Sequence, residues 1–209
     1  PDGGTISTTT YLGGLVGHVQ TSSGGKFEAR EIAINGLVKA HDQQVVVGGV
    51  FGILKAGAGE SPKIESSRVG SSSQRMMIQG YQKVGGIAGQ IHDAEVVQKT
   101  IVLANLKGKD YVGGIVGDAL DNTQISDVKT DIIYLPLSTT NSRVGGVVGG
   151  IAGDFSVSIE GVVSNFTVPT PTDPLTKVDK LGGIVGHRMD NTASANSLRI
   201  MNSKTFVDF

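Results

Sequence analysis

A five-residue phrase recurs six times along the chain, and it limits the fold more than any other feature. The copies are Gly13-Gly14-Leu15-Val16-Gly17, Gly48-Gly49-Val50-Phe51-Gly52, Gly85-Gly86-Ile87-Ala88-Gly89, Gly113-Gly114-Ile115-Val116-Gly117, Gly145-Gly146-Val147-Val148-Gly149 and Gly182-Gly183-Ile184-Val185-Gly186. Each reads Gly-Gly-apolar-apolar-Gly and follows a Val or Leu. The first glycines stand 35, 37, 28, 32 and 37 residues apart. A phrase recurring at that period marks one structural unit stacked on itself. Six copies of three glycines account for 18 of the 31 in the chain. Glycine inside an apolar strand costs conformational entropy, so six such copies need a packing reason.

The flanks extend the unit. Gly117-Asp118-Ala119-Leu120-Asp121-Asn122-Thr123 and Gly186-His187-Arg188-Met189-Asp190-Asn191-Thr192 agree beyond their glycines, and Asp-Asn-Thr is turn chemistry. Alternating segments follow, such as Ser156-Val157-Ser158-Ile159-Glu160 and Ser164-Asn165-Phe166-Thr167-Val168. Their period of two is that of half-buried strands. Val96–Leu106 and Ile125–Tyr134 read the same way, and Val45–Leu54 reads as a buried strand pair. Long 3.6-residue periodicity is missing, so helices should be few; Gln74–Tyr81 is the one candidate for a short helix.

A unit of two or three short strands cannot bury its own apolar face, whereas coils stacked along an axis bury a continuous core. The expected fold is therefore all-β: a β-solenoid, or parallel β-helix, of about six coils forming a single domain over residues 1–209. The glycine triplets should stack in columns. Loop insertions are expected near 66–75 and in the Pro-rich stretch 168–176. A sandwich or propeller is the competing all-β architecture. A dinucleotide-binding fold fails its context test, because Gly-Gly-x-x-Gly is followed by turn residues and not by a helix.

The bulk properties bound the function. A net charge of -1, with Lys and Arg scattered, gives no electrostatic reason to expect nucleic acid as partner. No stretch approaches the roughly 20 apolar residues of a membrane span. The absence of cysteine excludes disulfides and thiolate metal sites. The opening Pro1-Asp2-Gly3-Gly4 reads as an internal cut, so the chain is expected to be a fragment of a longer protein.

The phrase with its flanks, as in Lys83-Val84-Gly85-Gly86-Ile87-Ala88-Gly89 and Tyr111-Val112-Gly113-Gly114-Ile115-Val116-Gly117, resembles the GLUG motif. That motif occurs in tandem in large bacterial surface and secreted proteins, including immunoglobulin A metallopeptidases and filamentous-haemagglutinin-like adhesins. The resemblance runs from about Tyr11 to the C-terminus. It implies an exported scaffold at the cell surface or outside the cell, and it implies no catalytic residue. After the last glycine the chain carries His18, Ile53, Gln90, Asp118, Gly150 and His187, where the family's typical copies have an aromatic or Asn.

Few residues read as sites. His18 and His187 share a repeat position but belong to the first and sixth copies. Five rises of about 4.8 Å would separate them by about 24 Å, too far to share a metal. Asp93, Asp121 and Asp190 each lie four residues after a final glycine, with Asp154 one residue further on. Stacked turns could align these carboxylates as weak calcium candidates, against the plainer role of Asx-turn residues. Tyr11, Tyr81 and Tyr111 precede their phrases and are expected to pack where strands begin. His-Glu-x-x-His and Gly-x-Ser-x-Gly are both missing. The absence of Trp lowers the prospect of an aromatic sugar platform.

The expected function is a structural or adhesive module without catalysis or cofactor. It would serve as a spacer, or present loops to a protein or glycan of a host or matrix, joined to flanking domains of its own chain. Two alternatives stand beside it: an accessory region that positions substrate for a secreted metallopeptidase, and a polysaccharide-degrading β-helix. Chemistry is expected in the irregular segments, chiefly 66–75 and 168–176.

Overall fold

Each glycine phrase forms a sharp corner between two short strands. The first strand ends on the first glycine, the second glycine and the next residue turn, and the second strand begins at once. In the computed structural model this produces strand pairs such as Lys83–Gly85 with Ala88–His92 and Tyr111–Gly113 with Val116–Leu120. The structure describes residues 10–22, 25–43, 45–57, 60–97, 99–137, 142–152, 156–169, 178–189 and 197–208. Among them no helix occurs, and every strand pairing is parallel.

Six coils stack into four parallel walls, each ordered strictly by coil. The first wall comprises Thr10–Gly13, Val45–Gly48, Lys83–Gly85, Tyr111–Gly113, Arg143–Gly145 and Lys180–Gly182. The second runs from Val16–Gln20 to Val185–Arg188, the third from Glu28–Arg30 to Ser197–Met201. The fourth ends at Lys204–Asp208 and holds the longest strands, Ile101–Gly108 and Lys129–Pro136. The chain is thus an all-β parallel solenoid. Each coil uses four walls instead of two or three strands.

Register carries the repeat. Gly13, Gly48, Gly85, Gly113, Gly145 and Gly182 form one column, coil over coil. The second glycine explains the phrase. A Cβ on Gly114 would collide with the carbonyl of Gly146 in the next coil and lie 3.0 Å from Ile132 of the fourth wall. The missing side chain therefore admits both the next backbone and the opposite wall. At the third glycine, a Cβ on Gly117 would sit 2.6 Å from the Val84 amide nitrogen, in the previous coil's first strand. First and second walls touch backbone to backbone.

The core is a stack of aliphatic rows. Val50, Ile87, Ile115 and Val147, one from each of the four inner phrases, are wholly buried. Ile64, Ile91, Leu106, Ile125, Ile132, Ile159 and Phe166 fill the space between walls. Tyr134 is buried with them and donates its hydroxyl to the Gly108 carbonyl at 3.1 Å; burial pushes its pKa up to about 12.

Gln74–Tyr81 is not helical. Met76–Gln79 is a fourth-wall strand between Leu37–Lys39 and Ile101–Gly108, with buried and half-buried residues alternating. Two ready-made parallel partners decide its conformation where local periodicity is weak. The insertion near 66–75 is present but shorter. Arg68–Val69 pairs with Ile101–Val102, and Met76 resumes opposite Ala104. Gly70–Arg75 thus spans what Leu103 alone spans in the following coil. Most of the proposed 168–176 insertion, and Asp154 and Asp190, lie outside the described residues.

Candidate functional site

Two regions gather polar chemistry. The first is the seam between the first and second walls. The residue two before each phrase (Tyr11, Val46, Lys83, Tyr111, Arg143, Lys180) forms one column, and the residue just after each phrase forms another. The two columns meet. Tyr11 and His18 rings lie 5.2 Å apart. Lys180 Nζ and His187 Nε2 are 2.9 Å apart, and burial with the Lys180 and Arg143 charges lowers the His187 pKa. Val46 and Ile53 supply an apolar level, 1% and 4% exposed.

At mid-height the seam holds an ion pair. Lys83 Nζ lies 2.8 Å from Asp118 Oδ2, and Gln90 Nε2 donates to the same oxygen at 3.3 Å. Burial raises the Asp118 pKa above its ordinary 3.8, against the lowering by Lys83, His92 and Gln90. The next level is a stack: the Arg143 guanidinium lies 4.7 Å from the centre of the Tyr111 ring, a cation–π geometry. Gly150 leaves the space that this ring fills, since a Cβ there would overlap it. These groups face one another along the seam and act as a side-chain zipper between two walls.

The calcium candidates sit at the corner after the second wall. Asp93 and Asp121 both adopt left-handed backbone, with φ of 50° and 61°. Asp93 Oδ1 accepts from the Asn122 backbone N–H at 3.0 Å and from its side-chain amide at 2.9 Å. Asp121 Oδ2 lies 3.3 Å from His92 Nδ1. Both carboxylates are thus engaged in stitching the turn of one coil to the next. Among the described residues, no three His, Asp or Glu side chains gather as a metal ion would require. His18 and His187 occupy the first and last places of one column, as their spacing implies.

The second region is the outer surface of the fourth wall, and here the insertion matters. Arg75 closes the Gly70–Arg75 loop by reaching past the third coil to the fourth. Its Nη1 donates to the Asp131 carbonyl at 2.6 Å, and its Nη2 lies 2.7 Å from Asp131 Oδ2. Ser71 and Gln74 close the loop's base with a mutual backbone pair, and Gln74 Oε1 accepts from Asn35 at 3.1 Å. The loop is therefore tied to the first, second and fourth coils. Shallow hollows lie along the same surface. One of about 210 Å³ is lined by Ile101, Leu103, Lys129, Asp131, Val163 and Asn165. A second, of about 250 Å³, lies between Lys99, Ile101, Asp127 and Lys129. A third borders Arg68, Gly70 and Ser71.

Register places the cations of this surface in a row. Arg68, Ile101, Lys129, Val163 and Lys204 are successive members of one column. Arg68, Lys129 and Lys204 are exposed; Ile101 and Val163 are half-buried. Charges recur at every second coil, about 9.6 Å apart at a strand spacing of ~4.8 Å, with an aliphatic step between. Scattered in sequence, these cations are gathered by the fold.

The stacked walls define the class of protein, a parallel β-solenoid. Comparison with family models, with curated proteins and with solved structures yields no match to the chain. Its chemistry is therefore read from its own surfaces.

Proposed function

We propose that the chain is a non-catalytic structural and adhesive repeat module of an exported bacterial protein, akin to GLUG-repeat regions. It acts outside the cell as a stiff spacer whose fourth wall meets a host or matrix partner. The observation that carries this reading is the latched loop beside hollows and a regular cation row, on the fourth wall, where the second coil departs from the repeat. The seam groups, by contrast, are committed to one another, which supports a structural role for Asp118 and Lys83.

The row favours an extended anionic polymer as partner, because its charges repeat at about the length of two sugar units along an extended glycan. Solid-phase binding to a uronate-containing polysaccharide tests the reading. Binding should weaken severalfold with Lys129→Ala and fall as salt rises, since exposed charges are screened beyond about 10 Å at 0.1 M. No cleavage products should form. Turnover of the polysaccharide would favour the polysaccharide-degrading reading, and binding unaffected by Lys129→Ala would remove the fourth wall from the account.

A further inference from the structure

We infer that the fourth-wall hollow lined by Lys129 and Asp131 binds one acidic sugar of an anionic polysaccharide, and that Arg75 selects for that charge by cancelling Asp131. The inference rests on the reading of the fourth wall given above. It adds the subsite and the residue that sets its sign. The groups that form it belong to the second, third, fourth and fifth coils, so it does not depend on the first or last.

Register arranges the lining as a grid. Ile101, Lys129 and Val163 form one column, and Leu103, Asp131 and Asn165 form the next. Successive side chains in a strand point to opposite faces, so these six share the outer face, while Val102, Thr130 and Ser164 between them are buried. The aliphatic members, Ile101, Leu103 and Val163, are half-buried and offer a surface to the C–H face of a sugar ring. Lys129 adds a cation and Asn165 an amide, both exposed. At about 210 Å³ the space has the bulk of a single sugar.

The charges of the lining cancel. Its one acid is Asp131 and its one cation is Lys129. They stand two residues apart on one strand, about 7 Å at the usual rise. Left unpaired, Asp131 would repel any carboxylate that Lys129 attracted. In the neighbouring hollow a lone acid, Asp127, faces two lining cations, Lys99 and Lys129. For Asp131 the second cation comes from outside the lining. Arg75 reaches it from two coils away and binds both its carbonyl, at 2.6 Å, and its carboxylate, at 2.7 Å. The two side chains are 28% and 36% exposed, so the pair is partly shielded from water. With Asp131 matched, the charge of Lys129 is left in excess and the hollow favours an anion. The longer second coil gains a purpose: its extra residues carry a guanidinium to the one carboxylate of the subsite. Bonds between Ser71 and Gln74, and from Asn35 to Gln74, hold the base of that loop in place. Arg75 acts on the ligand through Asp131 and is a positioning residue.

Titration calorimetry at low ionic strength tests this, with hyaluronan, a polymer bearing glucuronate at every second sugar, and its carboxyl-reduced form as probes. The chain should bind the first and not the second. Arg75→Gln should weaken binding at least about threefold, the effect of a unit charge about 7 Å away even at the dielectric of water. Asp131→Asn should strengthen it by a similar factor, because the repelling carboxylate is gone and the guanidinium keeps its charge. The double variant Arg75→Gln/Asp131→Asn should return to within about twofold of wild type, the coupling expected of a charge pair. If Arg75 served only to hold the loop, the double variant would bind as weakly as Arg75→Gln. That result, or binding that needs Lys129 yet ignores both Arg75→Gln and Asp131→Asn, would overturn the inference and leave the fourth-wall reading standing. Equal binding of the carboxyl-reduced polymer would overturn the subsite. Absence of binding, or binding indifferent to Lys129→Ala, would remove the inference and the reading together.

Discussion

The glycine corner and the fourth wall solve the same stacking problem in opposite ways. At the corner, backbone lies on backbone, and Gly114 and Gly117 have no space for even one carbon. In the fourth wall, side chain lies on side chain, and the second coil carries five extra residues with pairing restored on both sides. The walls share a rise and a core, yet the repeat changes length at the fourth wall and keeps it at the glycine corner. Function therefore has room in the fourth wall and none at the corner.

The contrast can be broken experimentally. Gly114→Val should have the largest effect, above about 4 kcal/mol and sufficient to prevent folding, since neither the Gly146 carbonyl nor Ile132 can withdraw without shifting a coil. Chemical denaturation checks it. Removal of Ser71–Arg75 gives the second coil the length of the third and severs the Asp131 latch. We expect a loss of no more than about 1 kcal/mol, because a closed loop contributes little beyond its closure entropy. Failure to fold would show that the fourth wall is as strict as the corner.

The seam predicts a pH dependence. The folded state raises the Asp118 pKa above 3.8, so from about pH 4 upward it retains a proton that the unfolded chain releases. The stability that Asp118 contributes should fall as pH rises through that window. Melting temperatures of wild type and Asp118→Asn between pH 4 and 7 should show the wild type losing ground as pH increases. The reverse slope would mean that Lys83 outweighs burial. The smallest effect is expected for Ser72→Ala, an exposed residue of the loop, within about 0.5 kcal/mol in the same denaturation assay.

The corner was legible in the sequence because its constraint is steric and falls on adjacent residues. Glycine is demanded at the same places six times, and no side chain can substitute for missing space. The seam was not read, although it left a trace. Residues seven apart across three of the six phrases match in character: Tyr11 with His18, Val46 with Ile53, Lys180 with His187. The Lys83–Asp118 bond joins different coils, 35 residues apart, and only the register discloses it. Met76–Gln79 escaped for a related reason, as its strand conformation comes from neighbours 28 and 40 residues away. The Gly70–Arg75 loop falls within the serine-rich stretch; its latch to Asp131, 56 residues on, was not foreseeable from composition.

The claim that space, not backbone conformation, demands glycine at the corner is tested most directly by Gly114→Ala. Gly114 does not have a positive φ, so alanine suits its backbone. Where space allows, this exchange stabilises a protein by about 0.4–1 kcal/mol through the unfolded chain. The added Cβ would meet the Gly146 carbonyl, so the account predicts the opposite sign: a destabilisation of more than about 2 kcal/mol in the unfolding free energy. An unchanged or raised stability would contradict it.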